Sequence, residues 1–139
     1  MTPIVIWIPG PPVPTGRGRA VIAKGRAHVF TPARTREYAN LVKLAASQAT
    51  KGRPPLATAV QVRIEVRLPI PVSMSKRNRA LALEGGLLPA KRPDLDNCIK
   101  AATDGLIGIV LTDDALICRI AASKCYSALP GVRVEVEEM

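Results

Sequence analysis

Five aspartates, Asp94, Asp96, Asp104, Asp113 and Asp114, fall inside one window of 21 residues, and they are all the aspartates in the chain. The first two belong to Asp94-Leu95-Asp96-Asn97-Cys98-Ile99-Lys100, which has the form D-x-D-N-x-x-K. Carboxylates at i and i+2, at the mouth of a helix, face one point when the first is extended. Such oxygen ligands suit a hard divalent cation of the Mg2+ class, with Mn2+ as a substitute. A cation held there neutralises a phosphodiester and lowers the pKa of an attacking water. Lys100, one helical turn beyond Asp96, is spaced to meet charge that develops at the phosphate. The pair Asp113-Asp114 can complete the site only if the chain doubles back. Each residue also has a plainer reading. Asp96 can cap a helix, Asp94 can sit in the turn before it, Lys100 can pair with Asp96 or Asp104, and Thr112-Asp113-Asp114 can be an ordinary turn. Spacing alone does not separate the two readings.

The elements that must position these groups follow from periodicity. Leu95, Ile99, Ala102 and Leu106 form one apolar helical stripe, with Asp96, Lys100 and Asp104 opposite, which predicts a helix over 95–107. A helix of that length separates its ends by ~20 Å. Thr31-Pro32 caps and starts a helix expected over 32–50, with Tyr38, Leu41, Val42, Ala45 and Ala49 on its apolar side. Val60 to Leu68 alternates apolar and polar residues, the clearest strand of the chain. Further strands are expected at 3–8, 116–125 and 131–138, with Pro130-Gly131 turning between the last two. A short helix within 73–83 would carry Lys76, Arg77 and Arg79. Together these predict an α+β fold: one domain over 1–139, with a small, mostly antiparallel or mixed sheet and two main helices.

Charge is unevenly spread. Residues 1–93 hold 16 Lys and Arg against Glu37, Glu65 and Glu84, whereas residues 94–139 hold four basic residues against eight acidic ones. A basic body suits a polyanion, and an acidic island inside it repels phosphate unless a cation intervenes. The segment 10–27 reads as a mobile basic loop, with a short hairpin around 20–30, and Arg17, Arg19, Lys24 and Arg26 are candidate phosphate contacts. Arg34, Arg36, Lys76, Arg77, Arg79, Lys91 and Arg92 extend that candidate DNA-binding set. The three cysteines and single histidine fit no zinc pattern and no His-based triad. They read as reduced, buried thiols of a cytoplasmic protein. The apolar start lacks a basic leader, and no apolar run reaches the ~20 residues of a membrane helix.

The run from Pro93 through Asp94-Leu95-Asp96-Asn97-Cys98-Ile99-Lys100 to Asp104-Gly105-Leu106 and Asp113-Asp114 resembles the signature of the RusA family of Holliday junction resolvases, in its phage or prophage type. Pro9-Gly10-Pro11-Pro12, the Arg17-Gly18-Arg19 loop, the segment from Thr31 to Tyr38, and Lys124-x-Tyr126 before a Pro-Gly turn are similar to other parts of that family. The resemblance covers nearly the whole chain. It implies a homodimeric, Mg2+-dependent endonuclease that places paired nicks in four-way DNA junctions during recombination, repair or phage DNA processing. It also implies catalytic aspartates at Asp94, Asp96 and Asp114 and a functional lysine at Lys100. Asp104, Asp113 and Asn97 take supporting roles. The approach 87–93 carries no aromatic residue that could wedge between bases. The competing expectations are a non-catalytic basic nucleic-acid-binding protein and a nuclease for flaps or forks.

Overall fold

The computed structural model describes residues 2–15 and 33–139 in full, together with the backbone of 19–23 and 26–30. Chain order is β1 (Ile4–Pro9), β2 (Arg19–Ala23), β3 (Arg26–Phe30), α1 (Ala33–Thr50), β4 (Val60–Leu68), α2 (Lys76–Leu83), α3 (Leu95–Asp104), β5 (Ile117–Tyr126) and β6 (Gly131–Glu138). A single 3-10 turn, Asp114–Leu116, precedes β5. β2 and β3 pair as an antiparallel two-stranded unit, the hairpin expected in the basic segment. Arg17, Lys24 and the Thr31-Pro32 start of α1 lie outside the described residues.

The main sheet has the order β1-β6-β4-β5. Its alternation is that of the sequence: Val60, Val62, Ile64, Val66 and Leu68 are buried, and the intervening residues of β4 are not. Ile4, Ile6 and Ile8 of β1 and Val132, Val134 and Val136 of β6 continue the same face. Onto it pack Tyr38, Val42, Ala45 and Ala46 of α1, Cys98 and Ala102 of α3, and Leu106, Val110 and Leu111 beyond α3. A period of two meets a period of 3.6 across one apolar layer, as an α+β domain requires.

The short turn after β5 implies that β5 and β6 are neighbours, and they are not. β4 lies between them, antiparallel to β6 and parallel to β5. The reason is the long crossover from β4 to β5, which holds α2 and α3 and lays β5 down beside β4 in the same direction. The turn at 127–130 then steps over β4. β5 is left as an edge strand of ten residues.

α1 and α3 meet at Gly105. A Cβ built there would collide with Val42 Cγ1 and lie 2.8 Å from Val42 Cβ. Gly105→Ala therefore overpacks the contact and costs about 2 kcal/mol, seen as a melting temperature lower by roughly 6–8 °C for a domain of this size. An unchanged melting temperature would mean that the two helices are not seated on each other there.

Candidate metal and DNA site

Asp94 stands at the N-cap of α3 with extended backbone (φ −69°, ψ 137°), and its side chain makes no cap hydrogen bond. The plain reading of an aspartate here, a cap on the free amides of the first turn, therefore does not account for Asp94. Its carboxylate is exposed and has no side-chain partner among the described residues. Asp96 is exposed too, and its Oδ1 accepts the Asn97 amide at 2.9 Å. Asn97 lines a cleft of about 320 Å³ together with Asp94, Arg34, Arg92, Pro12, Pro14 and Pro93. The Asp94 carboxylate thus borders a cleft with two guanidinium groups, at the positive end of a helix, with Asp96 two residues on in the first turn. The Thr15 amide donates to the Asn97 carbonyl at 3.3 Å, which ties the root of the basic hairpin segment to the same helix mouth.

Lys124 fixes that mouth. Its Nζ donates to the Lys91 carbonyl at 2.7 Å and to the Pro93 carbonyl at 3.0 Å. A side chain from the far end of β5 so holds the chain on its way into α3. The Arg92–Pro93 peptide is cis. Cys98 is buried just inside, and burial pushes its thiol up to about 11, with Lys124 acting in the opposite direction and Asp94 and Asp96 adding to the rise. It stays a neutral thiol, a packing group and neither nucleophile nor ligand. The expectation of three buried cysteines holds for Cys98 alone, since Cys125 is half-buried and Cys118 exposed. The register between β4 and β5 shifts at Val60/Gln61, beside Cys118.

Lys100 pairs with Asp104 at 3.2 Å rather than with Asp96, and both side chains are exposed. Such an i,i+4 pair contributes a few tenths of a kcal/mol and breaks easily. Asp113 accepts the Ala115 amide at 3.0 Å as the cap of the 3-10 turn. That bond, with a hydrogen bond from Asp114, holds its carboxyl below the usual carboxylate range. Asp114 follows, exposed, as the first residue of the turn.

The three expected ligands do not converge within one chain. Among the described residues no three His, Cys, Asp or Glu side chains are grouped closely enough to hold a metal ion. The topology gives the reason. Lys124 ties Asp94 to the end of β5, whereas Asp114 sits immediately before its start, at Ile117. The chain after α3 is fastened at that start: Leu56, four residues before β4, exchanges backbone hydrogen bonds with Val110 (2.8 Å) and Thr112 (3.0 Å). From Ile117 to Lys124 the strand runs about 23 Å at ~3.3 Å per residue.

The remaining basic residues divide by place. Arg34 and Arg92 line the Asp94 cleft, and Lys91 and Arg92 line the groove next to it. Arg36 is exposed on α1, and Lys76, Arg77 and Arg79 are exposed on α2. Arg19 and Arg26 lie on β2 and β3, where the backbone alone is described.

A family model for the endodeoxyribonuclease RusA matches residues 9–137, nearly the whole chain. The chain belongs to the RusA family. A relative from Bacillus subtilis (strain 168), the uncharacterized protein YqaN, is 34% identical over 134 residues, which cover 94% of this chain and 92% of that protein. Membership supports endonucleolytic cleavage of DNA as the activity, and it accounts for a carboxylate placed in a basic cleft. Among the described residues no helix is long and apolar enough to cross a membrane.

In this RusA-family chain the residue that sequence reasoning underrated is Lys124. Nothing in local spacing links it to Asp94, because the link is made across the sheet; its place in the Lys124-x-Tyr126 resemblance was the one available signal. We expect Lys124→Met to remove two hydrogen bonds and lower stability by about 1–2 kcal/mol. Hydrogen exchange should speed up at the amides of 94–98, and nicking should fall about tenfold with DNA binding kept, since a loosened site loses rate before affinity. Unchanged exchange at those amides would remove Lys124 from this positioning role.

Proposed function

We propose that the protein is a divalent-metal-dependent endonuclease that nicks branched DNA, four-way junctions above all, as a homodimer whose cutting sites are shared between chains. The observation that carries this reading is the Asp94 carboxylate at the mouth of α3, in a cleft with Arg34 and Arg92, with Asp96 exposed two residues on. Hard oxygen donors beside guanidinium groups match a cation and a phosphodiester together. When bound, the cation, Mg2+ or Mn2+, supplies positive charge at the scissile phosphate and acidity to a water. Asp94 and Asp96 of one chain would hold it with Asp114 of the partner.

The argument for sharing is geometric. β5 is a long free edge, with Ile120 44% exposed and Cys118 and Ala121 exposed. An uncovered edge of this length invites pairing with another strand. Two β5 strands paired antiparallel about a two-fold axis set the start of each against the end of the other. The partner's Asp114 then comes beside the Asp94 and Asp96 mouth that Lys124 holds. Arg34 and Arg92 bind the phosphates flanking the cut. Lys100, released from its exposed pair with Asp104, stabilises the negative charge that builds up on the phosphate. Asp113 and Asn97 keep the turn and the helix mouth in shape. A two-fold dimer also explains paired cuts, since a four-way junction has a matching approximate two-fold axis.

The test is a panel of labelled four-way junction, fork, flap and linear duplex, incubated with Mg2+, Mn2+, Ca2+ or EDTA. Paired nicks in opposing strands of the junction with Mg2+ or Mn2+, and none in EDTA, are expected. Salt-sensitive binding with every strand intact in all four conditions would instead identify a non-catalytic nucleic-acid-binding protein. Equal cutting of flaps and forks would widen the substrate to branched DNA in general.

A further inference from the structure

Next to the Asp94 cleft lies a second groove that the chemistry above does not use. It encloses about 450 Å³, and its walls include Pro12, Pro69, Pro71, Val72 and Tyr126, with Lys91 and Arg92 at its polar side. The two hollows adjoin: Pro12, Arg92 and Pro93 line both. Val72 is 95% exposed, so folding does not explain an apolar residue there. An exposed apolar wall framed by basic groups marks a binding surface. Proline rings hold their backbone near one φ, so the walls are formed before anything binds.

We infer that this groove captures a nucleobase unstacked from the DNA at the branch point, while the phosphate of the neighbouring nucleotide lies in the Asp94 cleft. The inference rests on the proposed nuclease reading and names a subsite for it. A nucleotide is a flat ring with apolar faces joined to an anion, and the surface repeats that division: prolines, Val72 and the Tyr126 ring for the base, Arg92 between the hollows for the phosphate. Bases at a branch point are the least costly to unstack, and stacking on an aromatic side chain tolerates any base. The groove also answers the lack of an aromatic wedge in 87–93. Here the base enters the protein and no side chain enters the duplex. A peptide would fill the apolar part as well, but a shared wall, Arg92 included, with the cleft proposed to hold the phosphate selects a nucleotide.

The experiment uses full-length wild-type protein in Ca2+ or EDTA and a four-way junction with 2-aminopurine at each branch-point nucleotide in turn. At one position, binding should raise the fluorescence as the base leaves the stack. Removing that base, to leave an abasic nucleotide, should weaken wild-type binding about tenfold, the size of one lost stacking contact. Val72→Asp should abolish the fluorescence rise, bind the intact junction about tenfold more weakly, and lose all sensitivity to the abasic change. Tyr126→Leu, with unchanged melting temperature as the check on folding, should behave in the same way. If Val72→Asp weakens intact and abasic junctions equally, the loss is charge repulsion and the groove holds no base. Wild-type fluorescence that never rises would overturn the inference as well. Nicking is scored separately in Mg2+. Nicking without a fluorescence response sinks the groove alone, whereas a response without nicking sinks the nuclease reading and keeps the groove as a base-binding site.

Discussion

Asp96→Asn protein should nick four-way junctions on the order of a thousandfold more slowly than wild type, a loss of about 4 kcal/mol at 1.36 kcal/mol per tenfold. Asp114→Asn should match it, because a hard cation loses a charged oxygen ligand in either case. Junction binding measured without metal should hold or tighten in both, since a negative charge near phosphate has gone. The decisive result comes from co-expressing the two variants. If Asp94 and Asp96 of one chain work with the partner's Asp114, a mixed dimer carries one site with both lesions and one with none. Half of the dimers are mixed, so about a quarter of the wild-type single-nick rate returns, without recovery of paired cutting. A site built within one chain would leave both sites of the mixed dimer damaged, and activity would stay at the level of either variant alone. Measured recovery therefore decides between the two, and its absence would refute sharing across β5.

Ile120→Asp should produce the second large effect. Ile120 lies on the free edge strand and is 44% exposed, so an aspartate there costs the single chain little. Two aspartates brought to a paired edge repel, and charge on an edge strand is a common natural block to pairing. The variant should elute as a monomer in light-scattering chromatography at concentrations where the wild type is a dimer. Its nicking should fall on the order of a thousandfold, as in Asp114→Asn, because each half-site is left with two of three ligands. Weak junction binding should persist through the basic residues. A variant that stays dimeric, or a monomer that cuts at the full rate, would place the interface elsewhere.

Periodic segments were legible in the sequence. The alternation of 60–68 and the helical stripe of α1 set which face is buried, and burial is what the structure then shows. α3 was legible for the same reason, although it ends at Asp104 where 95–107 was expected, because Gly105 and the turns after it draw Leu106 into the core. α2 was harder. Its apolar residues are few, and the signal that starts it is Ser75, whose Oγ accepts the Asn78 amide at 3.2 Å. Strand order was not legible, since a short turn after β5 fits a hairpin as well as a step over β4. The placing of the D-x-D pair at a helix start was readable because two residues apart is a local relation. The distance from Asp94 to Asp114 is not local: it depends on which end of β5 each occupies, and that follows from the direction of one crossover.

A strand with two acids at one end and a third at the other has a consequence for control. If the site is shared between chains as proposed, no solitary chain is armed, and cutting power grows faster than protein abundance until pairing saturates. A nuclease that attacks the genome's own branch points would thus be harmless when newly made and scarce. Dilution itself would act as its safety catch, with no inhibitor required.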